Sequence, residues 1–184
     1  MNDKTIIYVA RHGETDYNEQ DRVCGISEGM LTKYGRQQAR MLGEKIRSTQ
    51  IDRVFVSPLK RAIETADIAL EGSGLTYTIE PRLTEHNFGR CEGVPRLDPV
   101  FQYAKRNLGV KQPGGDSFIQ LCHRAYGLIE ELGRKYPGES ILLVCHGTLG
   151  RAIRTYFVDM SNDDIYNYNM DNCELVRYEL DALK

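Results

Sequence analysis

The apolar residues of this chain fall into two kinds of pattern. Three runs are continuous: Ile6-Ile7-Tyr8-Val9-Ala10, Val54-Phe55-Val56 and Ile141-Leu142-Leu143-Val144-Cys145. Runs of strand length, rich in β-branched residues and without polar alternation, predict strands buried on both faces, as in a parallel sheet. Between them the spacing turns helical. Ala39, Leu42 and Ile46 fall at i, i+3, i+7, and Ala62, Ala66, Ala69 and Leu70 at i, i+4, i+7, i+8. The second of these predicts a helix capped by Ser57 with Pro58 in its first turn. Phe118, Leu121, Ala125, Leu128 and Leu132 form a longer stripe closed by Pro137-Gly138, and Leu149, Ala152, Ile153, Tyr156 and Phe157 form another. Two weaker strands are expected at Tyr77–Glu80 and Leu175–Leu180. Strands alternating with helices predict an α/β layered sheet.

Each strong run is followed by cationic or potentially cationic side chains: Arg11-His12-Gly13, Ser57-Pro58-Leu59-Lys60-Arg61, and His146-Gly147. Ligands of open α/β sheets bind at the carboxyl ends of the strands, so the fold class gathers these groups at one edge. Two arginines and two histidines there suit a phosphoryl dianion, because the guanidinium fork matches phosphate oxygens in pairs. Helix N-termini after Ser57 and His146 are expected to add N–H donors. Gly13 and Gly147 are expected to let the backbone approach a ligand or take a positive φ. A neutral imidazole can act as nucleophile and form a phospho-intermediate, and a carboxyl group is then needed to protonate the leaving oxygen. Glu80, Glu85 and Glu92 all stand in the right region, with Glu85 the candidate acid.

Composition narrows the picture. The chain has 184 residues, 41% hydrophobic and 27% charged, with 24 Lys+Arg against 26 Asp+Glu and a net charge of −2. That size predicts one domain, residues 1–184, with neither linker nor repeat. The balance of charge argues against a nucleic-acid or membrane-surface partner while leaving room for a local cationic pocket. No apolar run approaches the ~20 residues of a membrane span. Met1 to Thr5 leads into an apolar run too brief for a secretory signal, so a cytoplasmic location is expected. Five cysteines without a CxxC pair suggest neither a disulfide framework nor a zinc site. Two of them, Cys24 and Cys145, would sit near the arginines, where a thiolate could be stabilised.

These residues also carry a resemblance. Arg11-His12-Gly13-Glu14-Thr15 with Asn18, Ser57-Pro58-Leu59-Lys60-Arg61-Ala62 with Thr65-Ala66, Leu83-x-Glu85 with Gly89 and Glu92-Gly93, Pro113-Gly114-Gly115-Asp116-Ser117 with Arg124, and Val144-Cys145-His146-Gly147 resemble, in order, the motifs of the histidine phosphatase superfamily. The likeness is to its phosphoglycerate mutase-like branch. It implies a three-layer α/β sandwich with a mostly parallel central sheet and a short cap insertion at residues 94–112. It also implies that His12 is the phosphorylated nucleophile, that Arg11, Arg61 and His146 hold the phosphoryl group, and that Glu85 is the proton donor. Asn18 would line the same pocket, and Arg22, Cys24 and Gly25 lie in the loop where relatives contact substrate. Arg124 is expected in a structural ion pair.

No metal and no cofactor is expected on this resemblance. The expected partner is a small phosphorylated metabolite, and the oligomeric state stays open between monomer and homodimer. Cys24 and Met30 depart from the family pattern beside the pocket, which bears on substrate choice. The short cap favours a phosphomonoesterase. The alternatives are a phosphoglycerate mutase, an α-ribazole phosphatase of cobalamin assembly, and a catalytically silent phospho-ligand binding protein.

Overall fold

The computed structural model describes residues 4–181; residues 1–3 and 182–184 of the expected unit lie outside the described residues. Five strands form one sheet: β1 (Thr5–Arg11), β2 (Arg53–Val56), β3 (Thr78–Ile79), β4 (Ser140–Cys145) and β5 (Leu175–Leu180). Their order is β3-β2-β4-β1-β5. The first four run parallel, and β5 lies antiparallel on β1.

The continuous apolar runs have a simple cause: each strand is covered on both sides. Ile141, Leu143 and Cys145 of β4, with Ile7 and Val9 of β1 and Phe55 of β2, pack in the core under α5 (Phe118–Lys135) and α6 (Gly147–Phe157). The intervening Leu142, Val144, Ala10, Val54 and Val56 pack in a second core under α2 (Lys33–Arg47) and α3 (Lys60–Leu70). With a side-chain period of two, an uninterrupted apolar run serves two cores at once. The helices present the residues that the spacing predicts, among them Leu42, Ala66, Leu128 and Ala152. The remaining helices, α1 (Asp16–Glu19), α4 (Pro99–Arg106) and α7 (Asn162–Asn167), are short and lie among the loops at the strand ends.

Two expectations need correction. The strand expected at Tyr77–Glu80 shrinks to Thr78–Ile79, with Glu80 already capping the 3₁₀ turn at Pro81–Leu83. The helix expected to follow a Ser57 cap begins instead at Lys60, capped by Leu59 without a side-chain bond. The Ser57 hydroxyl is taken up elsewhere: it lies 2.7 Å from His146 Nε2 and accepts from the Leu59 N–H at 3.3 Å.

Segment 94–112 roofs the strand ends. Backbone bonds join it and the preceding Gly93 to the loop after α1: Val23 N–H to Val94 O, Gly93 N–H to Val23 O and Arg96 N–H to Asp21 O. A small satellite core of Val23, Phe88, Cys91 and Phe101 pins it there. Its helix, α4, is capped by Asp98, which accepts from the N–H groups of Val100 and Phe101. Among the described residues, no helix is long and apolar enough to cross a membrane.

Candidate active site

Adjacent parallel strands bring the two histidines together. Arg11 and Cys145 are register partners at the ends of β1 and β4, so His12 and His146 leave the sheet side by side. Their ring centroids lie 5.2 Å apart. His12 Nδ1 sits 2.7 Å from the carbonyl of Gly13, so Nδ1 carries the hydrogen and donates it there. Nε2 is then the acceptor, and it receives the Nε–H of Arg61 at 3.2 Å. Burial first, then the guanidinium groups of Arg61 and Arg11, hold the imidazole well below its usual 6.5. The ring is neutral, with a lone pair on Nε2.

Arg61 is 1% exposed, and its whole fork is engaged. Nη1 donates to Ser27 O at 2.8 Å and Nη2 to Gly25 O at 2.6 Å. Gly25 has φ +63, and a Cβ there would strike the carboxylate of Glu92. That carboxylate accepts from the backbone N–H groups of Ile26, Ser27 and Phe88 and from the Ser27 hydroxyl. Glu92 thus shapes the loop whose carbonyls orient Arg61. Glu80 is held by Arg82, which leaves Glu85 as the carboxylate that lines the cavity.

Glu85 is positioned by backbone. Its Oε1 accepts from His86 N at 2.8 Å and Leu149 N at 2.9 Å, and its Oε2 accepts from Thr148 N at 3.0 Å. The N-terminal amides of α6, expected to bind phosphate, are therefore partly spent on this carboxylate. Arg124, expected in an ion pair, donates instead to the carbonyls of Arg82, Thr84 and Glu85 and so holds the Glu85 segment.

The cavity over these groups encloses about 280 Å³. Of the residues singled out from sequence, Arg11, His12, Asn18, Arg22, Cys24, Gly25, Arg61, Glu85 and Gly147 line it. His146 and Gly13 do not. His146 is fully buried behind His12; burial and Arg61 keep its ring well below 6.5. His146 Nε2 pairs with the Ser57 hydroxyl at 2.7 Å, and its buried Nδ1 has no partner. Gly13 serves packing rather than ligand approach or a positive φ: a Cβ there would lie 2.4 Å from the carbonyl of Gly35. Gly147 likewise makes room for Arg11, whose Nε would lie 3.3 Å from an added Cβ. Arg11 donates to Met170 O at 2.5 Å, and burial brings it down to about 10.

Several residues in or beside the cavity carry no motif signal. Asn172, in the turn before β5, donates to the carbonyl of His12 at 2.8 Å and to Asn18 Oδ1 at 3.3 Å. Arg151 of α6 and Arg96 and Lys105 of segment 94–112 also face the cavity. The spacing of Gly147 and Arg151 (i, i+4 on one helix face) is the sequence signal that could have found Arg151. Burial opposes a thiolate at either cysteine: it pushes the thiol of Cys24 up to about 11 and that of Cys145 up to about 12. Among the described residues, no group of three or more His, Cys, Asp or Glu side chains is placed to hold a metal ion.

A layered sheet with paired histidines and arginines at its strand ends defines a phosphoryl-handling α/β protein. The family follows from comparison. A profile of the histidine phosphatase superfamily (branch 1) matches residues 7–183, and the chain belongs to that superfamily. A probable phosphoglycerate mutase GpmB of Yersinia pestis is 29% identical over 180 residues, covering 94% of this chain and 84% of that protein. Bacillus stearothermophilus YhfR superposes with a TM-score of 0.84 at 28% identity, covering 94% of this chain and 90% of that one. A mycobacterial glucosyl-3-phosphoglycerate phosphatase superposes with a TM-score of 0.81 at 26% identity, covering 95% and 89%. The fold is therefore phosphoglycerate mutase-like, and the chain is an enzyme of a superfamily of phosphatases and mutases.

Proposed function

We propose that this chain is a metal-independent phosphomonoesterase, working in the cytoplasm, that hydrolyses a small phosphorylated metabolite through a phosphohistidine at His12. The observation that carries the reading is the state of that ring: neutral, with its Nδ1–H committed to Gly13 and its Nε2 lone pair next to Arg61. Such a ring is a ready nucleophile. Nε2 attacks phosphorus while the bond from phosphorus to the leaving oxygen breaks. The Nε–H of Arg61 passes from the ring nitrogen to a phosphoryl oxygen, and Arg11, whose Nε is unpartnered, takes another. His146, packed against the His12 ring with its Nδ1 unpartnered, completes the set at the same strand ends. Positive charge arising on the His12 ring is stabilised through the bond to Gly13 O.

Glu85 delivers the proton to the departing oxygen. Oε2 is the atom to carry it, since Oε1 already accepts two N–H bonds and Oε2 accepts one. Water then attacks phosphorus, Glu85 takes its proton, and the N–P bond breaks to release orthophosphate and the free ring. The likeness to a glucosyl-3-phosphoglycerate phosphatase supports hydrolysis. The likeness to a probable phosphoglycerate mutase supports a second reading, in which the phosphoryl group returns to the substrate.

Rapid mixing with 4-nitrophenyl phosphate, followed by an alkaline quench, should trap acid-labile phosphate on the protein, and EDTA should leave turnover unchanged. Absence of protein-bound phosphate during turnover, or loss of activity with EDTA, would overturn the mechanism. Incubation with 3-phosphoglycerate separates the two readings: free orthophosphate marks the hydrolase and 2-phosphoglycerate the mutase.

A further inference from the structure

The cavity wall holds two hydrogen-bond acceptors that the chemistry above leaves unused. The ring of His86 is 4% exposed and lines the cavity. Its Nε2 lies 2.9 Å from the carbonyl of Asp116, which can only accept, so Nε2 carries the hydrogen. Burial is the first cause that holds this imidazole below its usual 6.5, and the ring is neutral near pH 7. Nδ1 is therefore an acceptor, and among the described residues it has no partner. Gln112 is 2% exposed and lines the cavity as well. Its Nε2 donates to the carbonyl of Phe101 at 3.5 Å, which orients the amide and leaves Oε1 buried without a partner.

One turn holds both acceptors. The Gln112 N–H donates to Asp116 O at 3.0 Å, the same oxygen that receives the Nε2–H of His86. The Asp116 N–H donates in turn to Asn87 O at 2.9 Å, and the Arg90 N–H to Pro113 O at 2.8 Å. A Cβ on Gly115 would lie 2.2 Å from Asn87 O, so the two segments meet backbone to backbone. The turn is thus locked to the segment that carries Glu85. Aromatic rings surround the pair: the His86 and Phe88 rings lie 4.5 Å apart and the Phe88 and Phe101 rings 5.3 Å, and both phenylalanines line the cavity. Buried polar groups in folded proteins normally find partners, so two unfilled acceptors in an apolar wall point to an occupant that donates.

We propose that His86 and Gln112 form a donor-reading subsite that determines specificity, and that the preferred substrate is a phosphomonoester whose leaving alcohol carries at least one further hydroxyl group. This rests on the phosphomonoesterase reading and deepens it. The phosphoryl group lies at the strand ends, and the hydroxyl donates to Gln112 Oε1 or His86 Nδ1. A leaving group without a donor displaces water from the wall and leaves both acceptors unpaired. Two neutral acceptors offer nothing to a carboxylate or a phosphate, so this subsite discriminates by hydrogen-bond donors and not by charge. Because the turn is locked to the Glu85 segment, a hydroxyl seated there also fixes the ester oxygen relative to its proton donor.

The test holds charge, carbon skeleton and ester constant and changes only the hydroxyl groups. Two matched pairs serve: glycerol 3-phosphate against n-propyl phosphate, and myo-inositol 1-phosphate against cyclohexyl phosphate. The wild-type protein should favour the hydroxylated member of at least one pair by about tenfold or more in kcat/KM. Gln112→Met and His86→Phe should each collapse that ratio, whereas Lys111→Met, off the cavity, should retain it. The ratio is taken within each protein, so a general loss of activity from disturbing the Glu85 segment does not move it. Should Gln112→Met fail to fold, Gln112→Asn, which keeps the amide but draws it back, should weaken the ratio. Equal or reversed use of both pairs by a wild-type protein that hydrolyses them would overturn the subsite and leave the phosphomonoesterase reading standing. So would wild-type ratios in the folded Gln112 and His86 variants. If the wild-type protein hydrolyses none of the four probes, calorimetric binding of the same pairs decides: tighter binding of a hydroxylated member supports the subsite and equal binding overturns it. Failure to hydrolyse aryl phosphates as well would sink the phosphomonoesterase reading separately.

Discussion

The two ends of the cavity are built differently. At the strand ends, Arg61 and Glu85 are fixed almost entirely by backbone groups, and His12 is fixed by Gly13 O and Arg61. These bonds hang from a sheet buried on both faces, between two large cores. At the roof, Lys105 and Arg96 have few polar partners, and their segment rests on a satellite core of four buried residues. The contrast teaches a division of labour. A reacting group must be held to a fraction of an ångström, which calls for elements that cannot shift. A group that reads the rest of a substrate can sit on a more loosely anchored segment.

The comparison can be broken by experiment. His12→Ala should cut hydrolysis of every substrate by at least about 10³-fold without unfolding the protein, as followed by initial rates and circular dichroism. Substantial residual turnover would mean that the strand ends are not where the chemistry occurs. Glu85→Gln should slow alkyl phosphates by about 10²-fold or more while affecting 4-nitrophenyl phosphate far less, because a good leaving group needs no proton. Equal losses would remove Glu85 from the acid role.

Acid titration sharpens the contrast in a third way. Burial is the first cause that lowers His12, His146 and His86 in the folded protein. The unfolded chain therefore binds more protons below the usual value of 6.5, and stability rises with pH there. Unfolding free energy in urea should fall as pH drops below 6.5, by up to about 1.4 kcal/mol per pH unit for each histidine still neutral in the fold. His146→Gln should flatten that slope. An unchanged stability between neutral and mildly acid pH would contradict the buried neutral rings. The smallest effect belongs to the roof. Phe101→Ala, which removes the centre of the satellite core, should raise KM several-fold and leave the burst of phosphoenzyme formation intact. A lost burst would mean that the roof and the strand ends are one mechanical unit.

Legibility in the sequence follows the same division. The strands and their cationic ends are readable because one apolar run serving two cores leaves a strong pattern, and because β1 and β4 end in register. Ser57 misleads, since a Ser-Pro pair reads as a helix start while its hydroxyl is committed to His146. Gly13 is noticed for the wrong reason, because its crowding against the backbone of α2 is invisible in a one-dimensional pattern. The roof is the least legible part. Arg96, Lys105, Arg106 and Lys111 look alike in sequence, and only the packing of segment 94–112 decides which of them turn inward. Asn172, in the turn before β5, bonds the His12 carbonyl where no local spacing announces it, and Arg151 is signalled only by its i, i+4 spacing from Gly147.

The contact between Gly13 and Gly35 carries a consequence for how such a protein can change. A Cβ on Gly13 would meet the Gly35 carbonyl at 2.4 Å, and a Cβ on Gly35 would meet the Glu14 carbonyl at 2.1 Å. The reacting strand end and the first turn of α2 are thus interlocked, backbone against backbone, and neither position can accept a larger residue alone or in company with the other. Neither glycine lines the cavity, so this double lock sets the seat of the reacting strand end on α2 from behind and leaves the lining side chains free to vary around it.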